Sequence, residues 1–149
     1  MNDTSKRATV DALGALLASS YTLYVKTHNY HWNVTGPMFT TLHTLFELQY
    51  TELAMAIDEI AERIRALGAP APGSFHAFGP LSVVEEETGS PDAAAMIANL
   101  VADQASVAEA AGRVIAAAEA AGDAVSMDLG TRRQDVHQKN AWMLRSHLE

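Results

Sequence analysis

The chain has 149 residues, one domain's worth and enough to bury roughly two-thirds of the surface its unfolded form exposes. It contains no cysteine, which excludes disulfides and thiolate metal or redox chemistry and fits a reducing, cytoplasmic setting. With 10 Lys and Arg against 18 Asp and Glu its net charge is −8, which opposes nucleic-acid binding by the molecule as a whole and favours the attraction of cations.

The N-terminal segment lacks the charged, apolar and cleavable regions of a signal peptide. No run reaches the roughly 18 apolar residues of a membrane span, so no membrane partner is expected. Alanine is abundant and β-branched residues are sparse, which favours helix. Residues 1–149 read as one domain, with 1–7 as a short leader. Val10, Leu13, Leu17, Tyr21 and Tyr24 recur at steps of three and four, and the stripe continues to His28 and His31. This predicts a helix from about Ser5 to Asn33 whose apolar face ends in two histidines. Gly36-Pro37 breaks it, since proline lacks an amide proton and pushes its predecessor out of helical geometry.

A second helix begins near Met38, carries Leu42, Phe46, Gln49, Leu53, Ile57, Ile60 and Ile64 on one face, and ends at Gly68. At about 30 residues it is roughly 45 Å long. The segment from Ala69 to Gly89, broken by Pro70, Pro72, Gly73, Gly79 and Pro80, is a long connection with a helical turn near Ser74 to Phe78. Ser90-Pro91-Asp92 reads as N-cap, first-turn proline and acidic first turn of a third helix with Met96, Ile97, Leu100, Val107, Ala111, Val114 and Ala118 inside, closed by Gly122. Asp123 caps a fourth, with Val125, Leu129, Val136, Asn140, Met143 and Leu144 along one side. The expected fold is all-α: a four-helix bundle whose long crossover, carrying a short helix, joins helices 2 and 3. Ferritin-like bundles have such a crossover and simple up-down-up-down bundles do not.

The residues suited to chemistry cluster between His28 and Glu62. On the second helix His43 and Glu47 are one turn apart, as are Asp58 and Glu62, so each pair projects from one side. The 15 residues from His43 to Asp58 span about 22 Å at helical rise, far beyond what two ligands of one ion can bridge. The two pairs are only about 60° apart around the axis, however, so both can face one neighbour. An antiparallel copy of the same helix, crossing near Glu52 and Leu53, would set Asp58 and Glu62 of one chain opposite His43 of the other. His31 would join His43 from its own chain. Two imidazoles and two carboxylates suit Fe(II) or Zn(II). The Glu-x-x-His motif of di-iron sites inside a single bundle is absent.

KTHNYHWNVTGPMF, the LH that follows, AIDEIAERIRALG and the later HQKNAWMLR resemble the Dps proteins, or mini-ferritins, over nearly the whole chain from about residue 8. The resemblance implies ferroxidase ligands His31 and His43 from one subunit and Asp58 and Glu62 from its two-fold mate. It implies Glu47 as a second, weaker iron ligand, with two iron ions possible per intersubunit site. It further implies a hollow dodecameric homo-oligomer in the cytoplasm that oxidises Fe(II) with hydrogen peroxide in preference to O2 and stores ferric mineral, protecting against oxidative damage. Trp32 matches the family's tryptophan beside the site, and Asp123 and Asp128 its acidic pore for iron.

Two other functions compete. One is DNA binding and nucleoid compaction with a secondary metal site. DNA-binding members often use a mobile, lysine-rich extension, whereas the leader here has Lys6 and Arg7 against Asp3, so little phosphate neutralisation is expected. The other is a scaffold cage holding structural zinc. Single residues carry plainer expectations. His28 packs near the site, while His76, His137 and His147 lie at the surface or an interface. Trp142 fills the end of the bundle, Tyr21, Tyr24 and Tyr30 are core or interface residues, and Glu85, Glu86 and Glu87 are solvated. Without a metal, Asp58 and Glu62 would be a solvated acidic face, with Arg63 or Arg65 as pairing partners.

Overall fold

A computed structural model describes residues 2–149 as five α-helices: α1 (Asp3–Asn33), α2 (Phe39–Ala66), α3 (Phe75–Leu81), α4 (Ala93–Ala121) and α5 (Ala124–Arg145), followed by a 3-10 turn (Ser146–Leu148). No strand occurs among the described residues. α1 starts earlier than its apolar stripe: the Asn2 side chain accepts from the Ser5 amide at 2.8 Å, so residues 3–7 form the first turns of the helix. After Val34 the chain is extended, and Gly36 takes φ of +110°, a left-handed conformation that glycine adopts without steric cost. α4 is capped by Asp92, whose carboxylate accepts from the Ala95 amide at 2.9 Å, and not by Ser90. A carboxylate both caps and complements the helix dipole, so Asp92 takes the position and Pro91 stays outside the helix. Gly122 closes α4 at φ +68°, and Asp123 caps α5.

Side chains that pair across the bundle give its directions. Lys26 with Asp103, and Tyr30 with Asn99, set α1 antiparallel to α4. His137 with Gln104, and Gln134 with the Ala108 carbonyl, do the same for α5 and α4. α1 and α2 are antiparallel across their short turn, so α2 and α4 run parallel and the chain must travel the length of the bundle between them. That crossover is fastened to α1: the Val83 amide donates to Ser19 Oγ, Lys26 Nζ to the Glu85 carbonyl, and Tyr30 to Glu87. Glu85 and Glu86 are exposed, but Glu87 is half-buried because the buried Tyr30 hydroxyl requires an acceptor.

Leu13, Leu17, Phe46, Ile60, Ile64, Ile97, Leu100, Val107, Val114 and Leu144 fill the interior. The buried face of α5 departs from the expected stripe, running through Ser126, Leu129, Gly130, Arg133, His137, Ala141 and Leu144, while Val125 and Met143 are exposed. Trp142 is exposed as well, since it lies two residues from the inward Leu144 and therefore on the opposite side of the helix. α4 and α5 pack tightly; a Cβ on Gly130 would sit 3.0 Å from Ile115 Cγ1 and 3.1 Å from the Ala111 carbonyl oxygen. α2 and α5 are joined mainly by long side chains: Arg63 to Asp123, Arg132 to Glu59, and Arg133 to Glu52.

Candidate metal centre

The Gly36-Pro37 turn folds the end of α1 against the start of α2 and brings His31 and His43 face to face. Their rings stack with centroids 3.8 Å apart and planes 13° from parallel. Each ring's Nδ1 lies 2.7 Å from the other residue's backbone carbonyl oxygen. A carbonyl only accepts, so both Nδ1 atoms carry the proton and donate it, and both Nε2 atoms are left as free lone pairs. This reciprocal clamp fixes tautomer and ring orientation together, as the outer hydrogen bond of a metal-binding histidine does. His31 is buried, and Phe39, four residues before His43 and so on its face, stacks on the far side of His43 at 5.0 Å.

Asp58 and Glu62 stand exposed further along α2. A hydrogen bond that the protonated Glu62 carboxyl donates to Asp58, and then the negative charge of Asp58, hold the Glu62 carboxyl above its ordinary pKa. Two like charges at such range resist joint ionisation, and a cation between them would relieve that. Neither is neutralised among the described residues: Arg63 is turned to Asp123 and Ser126, and Arg65 to the Ala69 carbonyl. Among the described residues no group of three or more His, Asp or Glu gathers around a point that could hold an ion. The chain thus presents an imidazole pair at one end of α2 and a carboxylate pair near the other, with exposed Glu47 one turn from His43.

Around the histidines lies a set of rings. His28 sits between Trp32 at 3.8 Å and Tyr50 at 4.4 Å, and Tyr50 meets His31 edge-on at 5.1 Å. Burial, and then the neighbouring His31, lower the His28 pKa, while burial and the Glu47 charge raise that of Tyr50. Trp32 is 63% exposed. Tyr50 belongs to no ligand pair in the sequence; its spacing of seven residues from His43, two turns along one face, is the signal that places it here.

Other residues settle elsewhere. His137, expected at the surface, is fully buried against Gln104 and Arg133, because α5 turns its Arg133–His137 side inward. His76 is exposed, and His147 is half-buried with its ring bonded to the Met143 carbonyl. Asp123 does not line an open surface: one oxygen accepts from Arg63 and the Ser126 amide, the other from the Ser126 hydroxyl, and the residue is buried. Its helix-cap role consumes it. Asp128 is exposed and paired with Arg132.

Residues 10–149 match the family model of the ferritin-like domain. A low temperature-induced protein of Nostoc sp., described as uncharacterized, is 38% identical over 100% of this chain and 84% of its own length. A DNA protection during starvation protein from Brevibacillus brevis is 35% identical over 92% of each chain. The crystal structure of a Dps protein from Vibrio cholerae O1, described as a member of a broad superfamily of ferritin-like diiron-carboxylate proteins, is similar with a TM-score of 0.94 at 32% identity, covering 100% of this chain and 94% of that one. Matched in sequence and in fold over nearly its whole length, the chain belongs to the Dps branch of the ferritin-like family.

Proposed function

We propose that the protein is a ferroxidase and iron-storage cage: it binds Fe(II) at sites shared between two subunits, oxidises it with hydrogen peroxide in preference to O2, and retains the ferric product as mineral. The observation that carries the reading is the reciprocal clamp of His31 and His43, which leaves two Nε2 lone pairs aimed away from their own backbone contacts. Asp58 and Glu62, without a cationic partner among the described residues, complete the donor set when a two-fold mate presents them. Glu47 serves as a weaker ligand for a second iron. Zn(II), which takes the same nitrogen and oxygen donors, would compete for the site. With two Fe(II) bound, each gives one electron to one peroxide, whose oxygen–oxygen bond breaks to yield two waters after uptake of two protons. No hydroxyl radical is released. The ferric ions then hydrolyse and deposit in a dodecameric shell.

Purified cage is expected to take up Fe(II) on addition of peroxide, and His31→Ala combined with Asp58→Ala to slow this sharply; unchanged oxidation rates would refute the assignment. Direct DNA binding is the weaker reading. Net charge is −8, and Lys6 and Arg7 stand in the first turns of α1. A gel shift at physiological salt should show no tight complex; one that weakens steeply with added salt would revive that alternative.

A further inference from the structure

At one height the core of the bundle is polar. Lys26 pairs with Asp103 at 2.9 Å, so the residues that follow them, Thr27 on α1 and Gln104 on α4, stand level with each other. The His137 ring lies 2.7 Å from Gln104 Oε1 and 3.2 Å from an Arg133 nitrogen, which brings α5 to the same height. Tyr24 meets Tyr50 at 5.8 Å, so Gln49 on α2 lies opposite residue 25 of α1, about 3 Å along the axis from Thr27. All four long helices thus send buried polar side chains into one cross-section. One turn to either side the core is apolar again: Phe46 and Leu53 flank Gln49, and Leu100 and Val107 flank Gln104.

Four atoms of this layer have no hydrogen-bond partner among the described residues: the oxygen and the nitrogen of the Gln49 amide, Thr27 Oγ1 and Arg133 Nε. The other Arg133 nitrogens are engaged by Glu52 and His137, and His137 by Gln104. A primary amide sealed in a core with both ends unbonded is strongly unfavourable, and methionine would fill the same space without that cost. Room for a ligand lies on the α2–α5 side, where long side chains span between the helices, in contrast to the close α4–α5 approach at Gly130. Its chemistry is limited by the donor set. A metal cation is opposed by the Arg133 charge, and no group of three or more His, Asp or Glu gathers here among the described residues. An anion is opposed by Glu52, which already neutralises that guanidinium. What fits is a small neutral molecule that donates and accepts at once, which is water.

We infer that Gln49, Thr27 and Arg133 form a hydration site inside the bundle that holds one or two ordered water molecules. One water accepts from Arg133 Nε and donates to Gln49 Oε1; a second accepts from Gln49 Nε2 and donates to Thr27 Oγ1. With them the layer is bonded from Glu52 through Arg133 to Gln49 and Thr27, and through His137 to Gln104. Leucine and isoleucine pack in several registers of comparable energy, whereas a bonded polar layer is satisfied in one. The site therefore fixes how α1, α2, α4 and α5 stand relative to one another along the bundle axis.

Two measurements on the assembled, iron-free protein test the site. A crystal structure of the wild-type protein that resolves ordered solvent should show water between Gln49 and Arg133 in every subunit. Gln49→Met then removes the amide at nearly constant volume. If water bridges the layer, the variant strands Arg133 Nε and Thr27 Oγ1, and the melting temperature should fall by roughly 5 °C. If the layer is dry, the same substitution relieves two unbonded atoms and the melting temperature rises. A wild-type map with no water in the layer, Gln49 being bonded directly to Thr27 or Gln104, overturns the inference, and so does a rise in melting temperature. Should Gln49→Met fail to assemble, the wild-type map decides alone.

Discussion

His137 carries a pH dependence that its place in the sequence does not announce. Its Nε2 lies 3.2 Å from an Arg133 nitrogen, which can only donate, and its Nδ1 lies 2.7 Å from Gln104 Oε1, which can only accept. The imidazole is therefore neutral with the proton on Nδ1, and burial, followed by the Arg133 charge, pushes its pKa down from 6.5 to about 3. A histidine with a depressed folded pKa contributes its full stability above the unfolded value and loses it as pH falls towards the folded one. Between pH 6.5 and about 3 the unfolded chain binds a proton that the folded chain refuses. Stability should decline by about 1.4 kcal/mol per pH unit through this window from His137 alone. His28, also lowered, adds to the slope with the same sign. Denaturant unfolding at pH 7, 6 and 5 should show this decline, and His137→Asn should flatten it; an equal slope in the variant would mean that another group is responsible. The sequence revealed His31 because it sits in phase with an apolar stripe beside a proline break, and His43 because it stands one turn from Glu47 just beyond that break. It hid His137 because Arg133 and His137 made the buried side of α5 look polar. Periodicity reports which residues share a face, and cannot report that a polar face is turned inward to a partner such as Gln104.

Within and between helices, small residues decide how closely elements approach. Gly130 lies where a Cβ would press on Ile115 and on the Ala111 carbonyl, and a backbone oxygen in a packed helix cannot move aside. Gly14, inside α1, has nothing within 4 Å of an added Cβ. Replacing glycine by alanine within a helix gains up to about 1 kcal/mol in backbone entropy, and overpacking costs about 1–3 kcal/mol. Gly14→Ala should therefore raise the melting temperature and Gly130→Ala lower it. If both substitutions move it the same way, close α4–α5 packing is not what Gly130 serves. Helix existence, order and the crossover were legible because long amphipathic runs are separated by Gly36-Pro37, by the Ala69–Gly89 connection and by Gly122-Asp123. The ends were less so. Asn2 caps α1 three residues before the start expected near Ser5, and Asp92 caps α4 two residues after the expected Ser90, since a cap is chosen by one side chain meeting one amide.

At the scale of the whole molecule, α2 offers a face that its own chain leaves uncovered. Leu48 is 65% exposed and Met55 75% exposed, and Glu62 follows at the same seven-residue step, so the three lie nearly in line along the helix. Two large apolar side chains leading to Glu62, whose pKa is raised by its hydrogen bond to Asp58 and then by the Asp58 charge, describe a surface to be covered, with a cation arriving alongside the partner. If a second α2 crosses here antiparallel, the apolar residues pack near the crossing and each end matches carboxylates of one chain to the histidine clamp of the other. Met55→Glu would place a carboxylate in that contact, where it could be neither hydrated nor paired. The expected outcome is a folded monomer: helical circular dichroism retained, light scattering reduced to one chain, and Fe(II) binding largely lost although His31, His43, Asp58 and Glu62 are untouched. A monomer that still binds Fe(II) with wild-type affinity would show that one chain closes its own site, against the roughly 22 Å that helical rise puts between the ligand pairs of α2. A variant that remains assembled would show that Met55 lies outside the contact, and the two-fold axis would have to be sought elsewhere on α2.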